Sequence, residues 1–241
     1  EDGADIIDIG GESTRPGAIK ILPEEEIQRV LPVVELIRKE NINIPISIDT
    51  RNYSTAKKAI EAGADIINDV SGFNYDKNLL EYVCKSDIPS IVMHSNKVPA
   101  VSEDIESKDI VEEIYYSLYK KIENMTELGI SKSNIIADTG IGFGKSQKGC
   151  FEVIKRQEEF CSLGVAILMG LSRKSCIRKE FNIDCIEADI PSALYSAILS
   201  RKGVNIHRAH NVKLTKKLIN YASAISSPAS KSDRKIPCSS V

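Results

Sequence analysis

Short apolar runs rich in Ile and Val recur at Asp5 to Ile9, Ile44 to Ile48, Asp65 to Asn68, Pro89 to His94, Ile135 to Asp138, Val165 to Gly170 and Val204 to Arg208. Runs of this length and composition predict seven β-strands. Between them the apolar positions fall three or four apart. Ile27, Val30, Leu31, Val34 and Ile37 show the spacing, as do Ile110, Ile114, Leu118, Ile122 and Met125, so each set marks one face of an α-helix. Gly63, Gly129 and Gly164 each follow such a helix, where left-handed backbone suits glycine. Asp2-Gly3-Ala4-Asp5 has the same helix-to-strand form, so its helix is expected upstream of residue 1.

Strands alternating with helices imply parallel strands joined by right-handed crossovers, in an open doubly wound sheet or a closed barrel. The seven strands and the leading helix end favour an α/β (β/α)8 TIM-like barrel whose first β/α unit is missing from this chain. No linker divides it, so one barrel domain is expected over 1–226. A disordered tail, rich in Ser, Pro, Lys and Asp, is expected over 227–241. With no initiator Met, the chain reads as a fragment of something longer.

Composition narrows the function. Lys plus Arg is 32 against 34 Asp plus Glu, and a net charge of -2 gives no general attraction to nucleic acid. No apolar run reaches the roughly 18 residues of a membrane span. The six cysteines, at 84, 150, 161, 176, 185 and 238, form no C-x-x-C pair, so neither a structural metal nor a disulfide framework is expected. Reduced thiols in the cytoplasm fit this pattern, and those in the folded region read as small core hydrophobes.

Polar residues collect where apolar strands end, the place where parallel α/β folds bind ligands. The runs end in Asp49-Thr50, Asn68-Asp69, His94 and Asp138, and the last leads into His207-Arg208-Ala209-His210. Two-residue alternation sets Ser47 with Asp49, Ile66 with Asn68, and Ile136 with Asp138 on common faces. Two carboxylates and an amide in one hollow suit a neutral, nitrogen-rich heterocycle. Arg208, His210 and Lys174 would supply positive charge for phosphate. The Gly-rich turns Gly10-Gly11 and Gly140-x-Gly142-x-Gly144 fit neither the dinucleotide fingerprint nor the Walker loop. Lys145 reads as solvent-facing, Asp69 as a cap, and Asp8 and Glu12 as loop buttresses. Arg173 is open between a surface charge and a ligand contact.

Taken in order, these motifs resemble the dihydropteroate synthase family, which makes folate precursors and is the target of sulfonamides. The resemblance covers Asp5 to about Ile225. It rests on Asp8-Ile9-Gly10-Gly11-Glu12-Ser13-Thr14-Arg15-Pro16-Gly17, Ser47-Ile48-Asp49-Thr50, Ile67-Asn68-Asp69-Val70 and Met93-His94, followed by Asp138-Thr139-Gly140-Ile141-Gly142-Phe143-Gly144-Lys145, Gly170-Leu171-Ser172-Arg173-Lys174 and Arg208-Ala209-His210. It implies a (β/α)8 barrel transferase that joins 6-hydroxymethyl-7,8-dihydropterin diphosphate to 4-aminobenzoate, with Mg²⁺, and releases diphosphate. Asp49, Asp138 and Lys174 would be the catalytic set. Asp49, Asn68, Asp138 and Lys174 would hold the pterin, with Val70 and Met93 as apolar contacts. Thr14, Arg15, Pro16, Phe143 and Lys174 would shape the aminobenzoate side, and Arg208 and His210 the diphosphate side. The family's Mg²⁺-binding Asn belongs to the first strand, so no metal ligand is expected in this chain. A homodimer and an upstream pyrophosphokinase domain are further implications.

The chain departs from the family pattern in three places. Asp-Pro-Gly reads Asp138-Thr139-Gly140, a Gly-containing segment after Met-His reads Ser95-Asn96-Lys97-Val98-Pro99, and Arg-x-His-Asp reads Arg208-Ala209-His210-Asn211. The carboxylate and phosphate-side cations remain, and Asn211 is another good N-cap residue. Pterin-binding methyltransferase domains share the barrel and the Asp/Asn/Asp set, but have no need of Arg208, His210 or Ser172-Arg173-Lys174. A non-catalytic pterin-binding barrel is the remaining alternative.

Overall fold

The computed structural model describes residues 2–14, 17–95 and 108–226. The tail expected over 227–241, and Arg15 and Pro16, lie outside the described residues.

Seven strands form one parallel sheet in chain order: β1 (Ile7–Gly10), β2 (Ile46–Asp49), β3 (Ile66–Asp69), β4 (Ser90–Met93), β5 (Ile135–Asp138), β6 (Ala166–Met169) and β7 (Ile206–His207). The helices on the outer face are α1 (Pro23–Lys39), α2 (Tyr53–Glu61), α3 (Lys77–Lys85), α4 (Ile110–Glu127), α5 (Gln147–Lys155), α6 (Ser175–Phe181), α7 (Asp189–Ser200) and α8 (Val212–Ser226). All seven expected strands are present, in a curled (β/α)8 frame. Among the described residues β1 and β7 stay unpaired edges. A cleft of about 600 Å³ lies between them, lined by Ile6, Asp5, Ile206, Val212 and Lys216 among others.

Local chemistry sets the element ends. Asp76, Asp109 and Ser146 accept backbone N–H bonds in the first turns of α3, α4 and α5, replacing partners those groups lack within a helix. At the other end of α2, Gly63 turns at φ +106°.

The strands bury both faces. Outward residues such as Ile46, Ile48, Ile67, Val92, Ile135, Ala137, Ile167 and Met169 pack on the helices in the main core. Inward, Ile66, Ile91 and Leu168 meet Ile6, Ile136 and Ile206 in a second, smaller cluster that plugs the barrel. Each buried Ile or Leu contributes roughly 1.5–3 kcal/mol, so these layers hold the frame on which the mouth is built.

Candidate active site

Two positions beyond the plug along the same strands, inward parity places Asp8 on β1, Asn68 on β3, Met93 on β4, Asp138 on β5 and Arg208 just past β7. On β2, Asp49 follows inward Ser47. The register aligns Gly10 with Asp49, Asp49 with Asn68, and Met93 with Asp138. A Cβ on Gly10 would stand 3.3 Å from the Asp49 Cβ, so glycine there leaves the Asp49 carboxyl room. Beside this polar set Val70, Met93 and Phe143 form a separate apolar cluster.

The polar groups are sparsely partnered. Arg208 spans the mouth, its two terminal nitrogens 3.3 Å from Asp138 Oδ2 and 3.5 Å from Asp8 Oδ2. Asp138 Oδ1 accepts the Gly140 N–H at 2.7 Å. Asn68 donates to Asp8 at 3.4 Å, while its buried Oδ1 has no hydrogen-bond partner. A buried acceptor without a partner costs stability, and this one sits where a ligand N–H can satisfy it. Burial, then the charge of Asp8, pushes the Asp49 carboxyl up to about 8. At neutral pH Asp49 is therefore mostly protonated.

Lys174, the N-cap residue of α6, holds its Nζ 4.5 Å from the centre of the Phe143 ring, a cation–π pair. Burial, then Arg208, lowers its pKa. Gly142 at φ +81° brings the turn close, since a Cβ there would lie 3.2 Å from Lys174 Cδ. His210 Nδ1 lies 3.0 Å from Ser172 Oγ, which also accepts the His210 N–H at 3.1 Å. Thr14 stands half-buried on the β1–α1 loop. The described residues contain no group of three His, Cys, Asp or Glu able to hold a metal. The phosphate-side donors Arg208, His210 and Ser172 suit an anion rather than Mg²⁺. No step is assigned to Mg²⁺ here.

The profile of the family described as pterin binding enzyme matches residues 1–210. Dihydropteroate synthase of Clostridium beijerinckii is 39% identical over 214 residues, covering 88% of this chain and 77% of that protein. The chain belongs to the dihydropteroate synthase family. Among solved family members, the enzyme from Anaplasma phagocytophilum with bound 6-hydroxymethylpterin-monophosphate has a TM-score of 0.87 and 33% identity, over 93% of this chain and 89% of that one. The Xanthomonas albilineans dihydropteroate synthase with 4-aminobenzoic acid has a TM-score of 0.87 and 32% identity, over 94% and 81%.

In this member of the dihydropteroate synthase family, the structure brings Asp49, Asn68, Val70, Met93, Asp138, Phe143, Lys174 and Arg208 to one mouth. Other sequence expectations change. His94 does not line the hollow: inward Met93 turns it outward, where it is 4% exposed. Burial and the nearby Lys145 push its imidazole down to about 3. Lys145 is not solvent-facing but 6% exposed. Arg173 turns away to α7, donating to both oxygens of Asp189 at 2.8 and 3.0 Å. Cys161 and Cys185 are exposed rather than core residues, while Cys84, Cys150 and Cys176 are buried. Asp69 does cap its turn, accepting from Ser71 and Phe73. Asn211 accepts from Leu214 at the start of α8.

Sequence reasoning gave Asp8 too small a role, since it shares the mouth with Asn68 and Arg208. It read Glu12 as a loop buttress without its partner, and it missed the buried Glu26 beneath the same loops. Glu12 takes a two-point bond from Arg51, both at 3.0 Å. Glu26 Oε2 accepts from Thr50, Asn52 and Thr55. A Cβ on Gly11 would lie 2.9 Å from the Glu26 side chain, which explains a glycine pair before the β1–α1 loop.

Proposed function

We propose the following division of labour for this dihydropteroate synthase. The enzyme joins 6-hydroxymethyl-7,8-dihydropterin diphosphate to 4-aminobenzoate, forming 7,8-dihydropteroate and releasing diphosphate. The pterin ring lies on Val70 and Met93 and pairs its nitrogen edge with Asp49, Asn68 and Asp138. The single observation that carries this reading is the convergence of those three side chains around Asp8 and Arg208, with Asn68 Oδ1 buried and unpaired. A ring that presents N–H donors favours ionised Asp49, so binding draws off the proton that burial keeps on it.

Departure of diphosphate leaves a methylene carbon with cationic character. Asp138 and Asp49 stabilise that charge, while Arg208 and His210 offset the charge leaving on the phosphates. Lys174 and Phe143 border the aminobenzoate, together with Thr14 on the β1–α1 loop. The arylamine attacks the carbon directly, so the chain needs no Ser, Cys or His nucleophile. Mg²⁺ bound with the diphosphate would supply further charge neutralisation.

A homodimer is proposed on the outer face of α7, where Ile190, Leu194 and Ile198, with Ile186 just before the helix, make an exposed apolar row. Cytoplasmic residence is proposed on the free cysteines; no helix among the described residues is long and apolar enough to cross a membrane.

The test is diphosphate release from the pterin diphosphate with and without 4-aminobenzoate, each with Mg²⁺ and with chelator. Release that requires aminobenzoate is expected. Release indifferent to it, or no release, contradicts the assignment.

A further inference from the structure

Lys145 ends the Gly-rich turn after β5 and folds back beneath it. Its Nζ donates to Gly140 O at 2.8 Å and lies 3.0 Å from His94 Nδ1, with the carbonyls of Phe143 and His94 each at 3.4 Å. Because the His94 ring is neutral, Nδ1 can accept. One ammonium with three donors thus faces four acceptors from the ends of two neighbouring strands. The two segments also touch directly. A Cβ on Gly140 would stand 1.9 Å from His94 O, and the His94 N–H donates to Asp138 O at 2.9 Å.

Keeping this charge buried is costly. No carboxylate of the described residues lies within ion-pair distance of Lys145, and burial draws the ammonium down to about 8, with Cys150 and Asp138 raising it, Lys174 lowering it and Glu113 raising it. An apolar side chain would fill the space without desolvating a charge. What the ammonium adds is geometry: it gathers the carbonyls of residues 140 and 143 around one point and ties them to the end of β4. Phe143, which carries the second of these carbonyls, is the residue whose ring meets Lys174 and packs on Val70 and Met93.

We propose that Lys145 is a positioning residue for the aminobenzoate subsite, its buried ammonium fixing the Gly140–Gly144 turn so that Phe143 faces Lys174. The proposal rests on the reading that Phe143 borders aminobenzoate. It makes Lys145 a determinant of affinity for the second substrate, while pterin contacts on β2 and β3 stay in place.

The experiment measures KM for each substrate, kcat and the melting temperature for Lys145→Met, Lys145→Gln, Phe143→Ala and the double variant Lys145→Met with Phe143→Ala. Lys145→Met is expected to raise KM for 4-aminobenzoate about 10-fold or more while KM for the pterin diphosphate stays within about twofold, since a small misplacement disturbs one subsite only. Its melting temperature should fall modestly, because Gly140 O, Phe143 O and His94 lose the donor they share. Lys145→Gln, which keeps a donor, should recover part of the loss and carries the test if the Met variant does not fold. The double variant should match Phe143→Ala alone, because both changes act through one ring. An unchanged KM for aminobenzoate in the Lys145 variants, a parallel rise in both KM values, or additive effects in the double variant would overturn the role of Lys145. A normal KM in Phe143→Ala would instead remove the subsite reading itself, and this proposal with it.

Discussion

One inward position separates two chemistries inside this barrel. At the lower level Ile6, Ile66, Ile91, Ile136, Leu168 and Ile206 close on one another. At the upper level the same strands present Asp8, Asn68, Met93, Asp138 and Arg208, with Asn68 Oδ1 unpaired and Asp49 pushed up to about 8. The backbone register is common to both, so the contrast lies wholly in the side chains. The lower level stabilises the fold without regard to ligand, whereas the upper level leaves polar groups short of partners that a substrate can supply. Ser47 is the exception below, a buried hydroxyl with no hydrogen-bond partner among the apolar plug's neighbours.

The comparison breaks most visibly at the cations. Arg208→Ala or Lys174→Ala should lower kcat/KM by about 1000-fold, roughly 4 kcal/mol of transition-state stabilisation, with the thermal transition barely moved. Near-normal turnover in either variant would remove that residue from the site. At the lower level the expectation inverts. Ile91→Ala should cost roughly 2–5 kcal/mol in urea unfolding, while KM for both substrates is unchanged in the fraction that stays folded. A cost below about 1 kcal/mol would mean the plug is not a packed core.

Asp49 sharpens the contrast through pH. Its pKa is raised, so the folded chain keeps a proton that the unfolded chain loses from about pH 4 upward. The stability this contributes is complete at low pH and is lost as pH climbs through about 8. Asp49→Asn has no such loss. Its melting temperature should therefore gain on the wild type by several degrees between pH 5 and pH 8.5, while activity falls. An identical difference at the two pH values would show that burial does not hold the proton. The smallest effect belongs to Arg173, which lies near the site in sequence but is paired outward with Asp189. Arg173→Ala should change stability by no more than about 1 kcal/mol and leave both KM values alone; a large rise in either would return it to the mouth.

How much of this was legible in the sequence follows from the range of each interaction. Asp49, Asn68 and Asp138 could be placed together because strand alternation is local, and one register then aligns neighbours. The same rule, applied to Met93, would have sent His94 outward. Lys145 was misjudged because composition makes lysine a surface residue, and nothing local shows that four acceptors converge on it from 51 residues away and nearer. The Glu12–Arg51 pair spans 39 positions and the Glu26 contacts 24 to 29. Neither has a spacing that periodicity could detect.

By itself, then, the amino-acid sequence determined the alternation of strands and helices, the parity that divides core from cavity, and the polar residues carried at strand ends. Those properties depend on neighbours two to four positions apart. Only the tertiary structure decided which charges are buried and with whom: Lys145 beneath its turn, Arg173 against Asp189, Asp8 drawn to Arg208 across 200 positions. Desolvation and pairing are set by every chain segment that reaches a point in space, and the curling of the sheet is what brings those segments together.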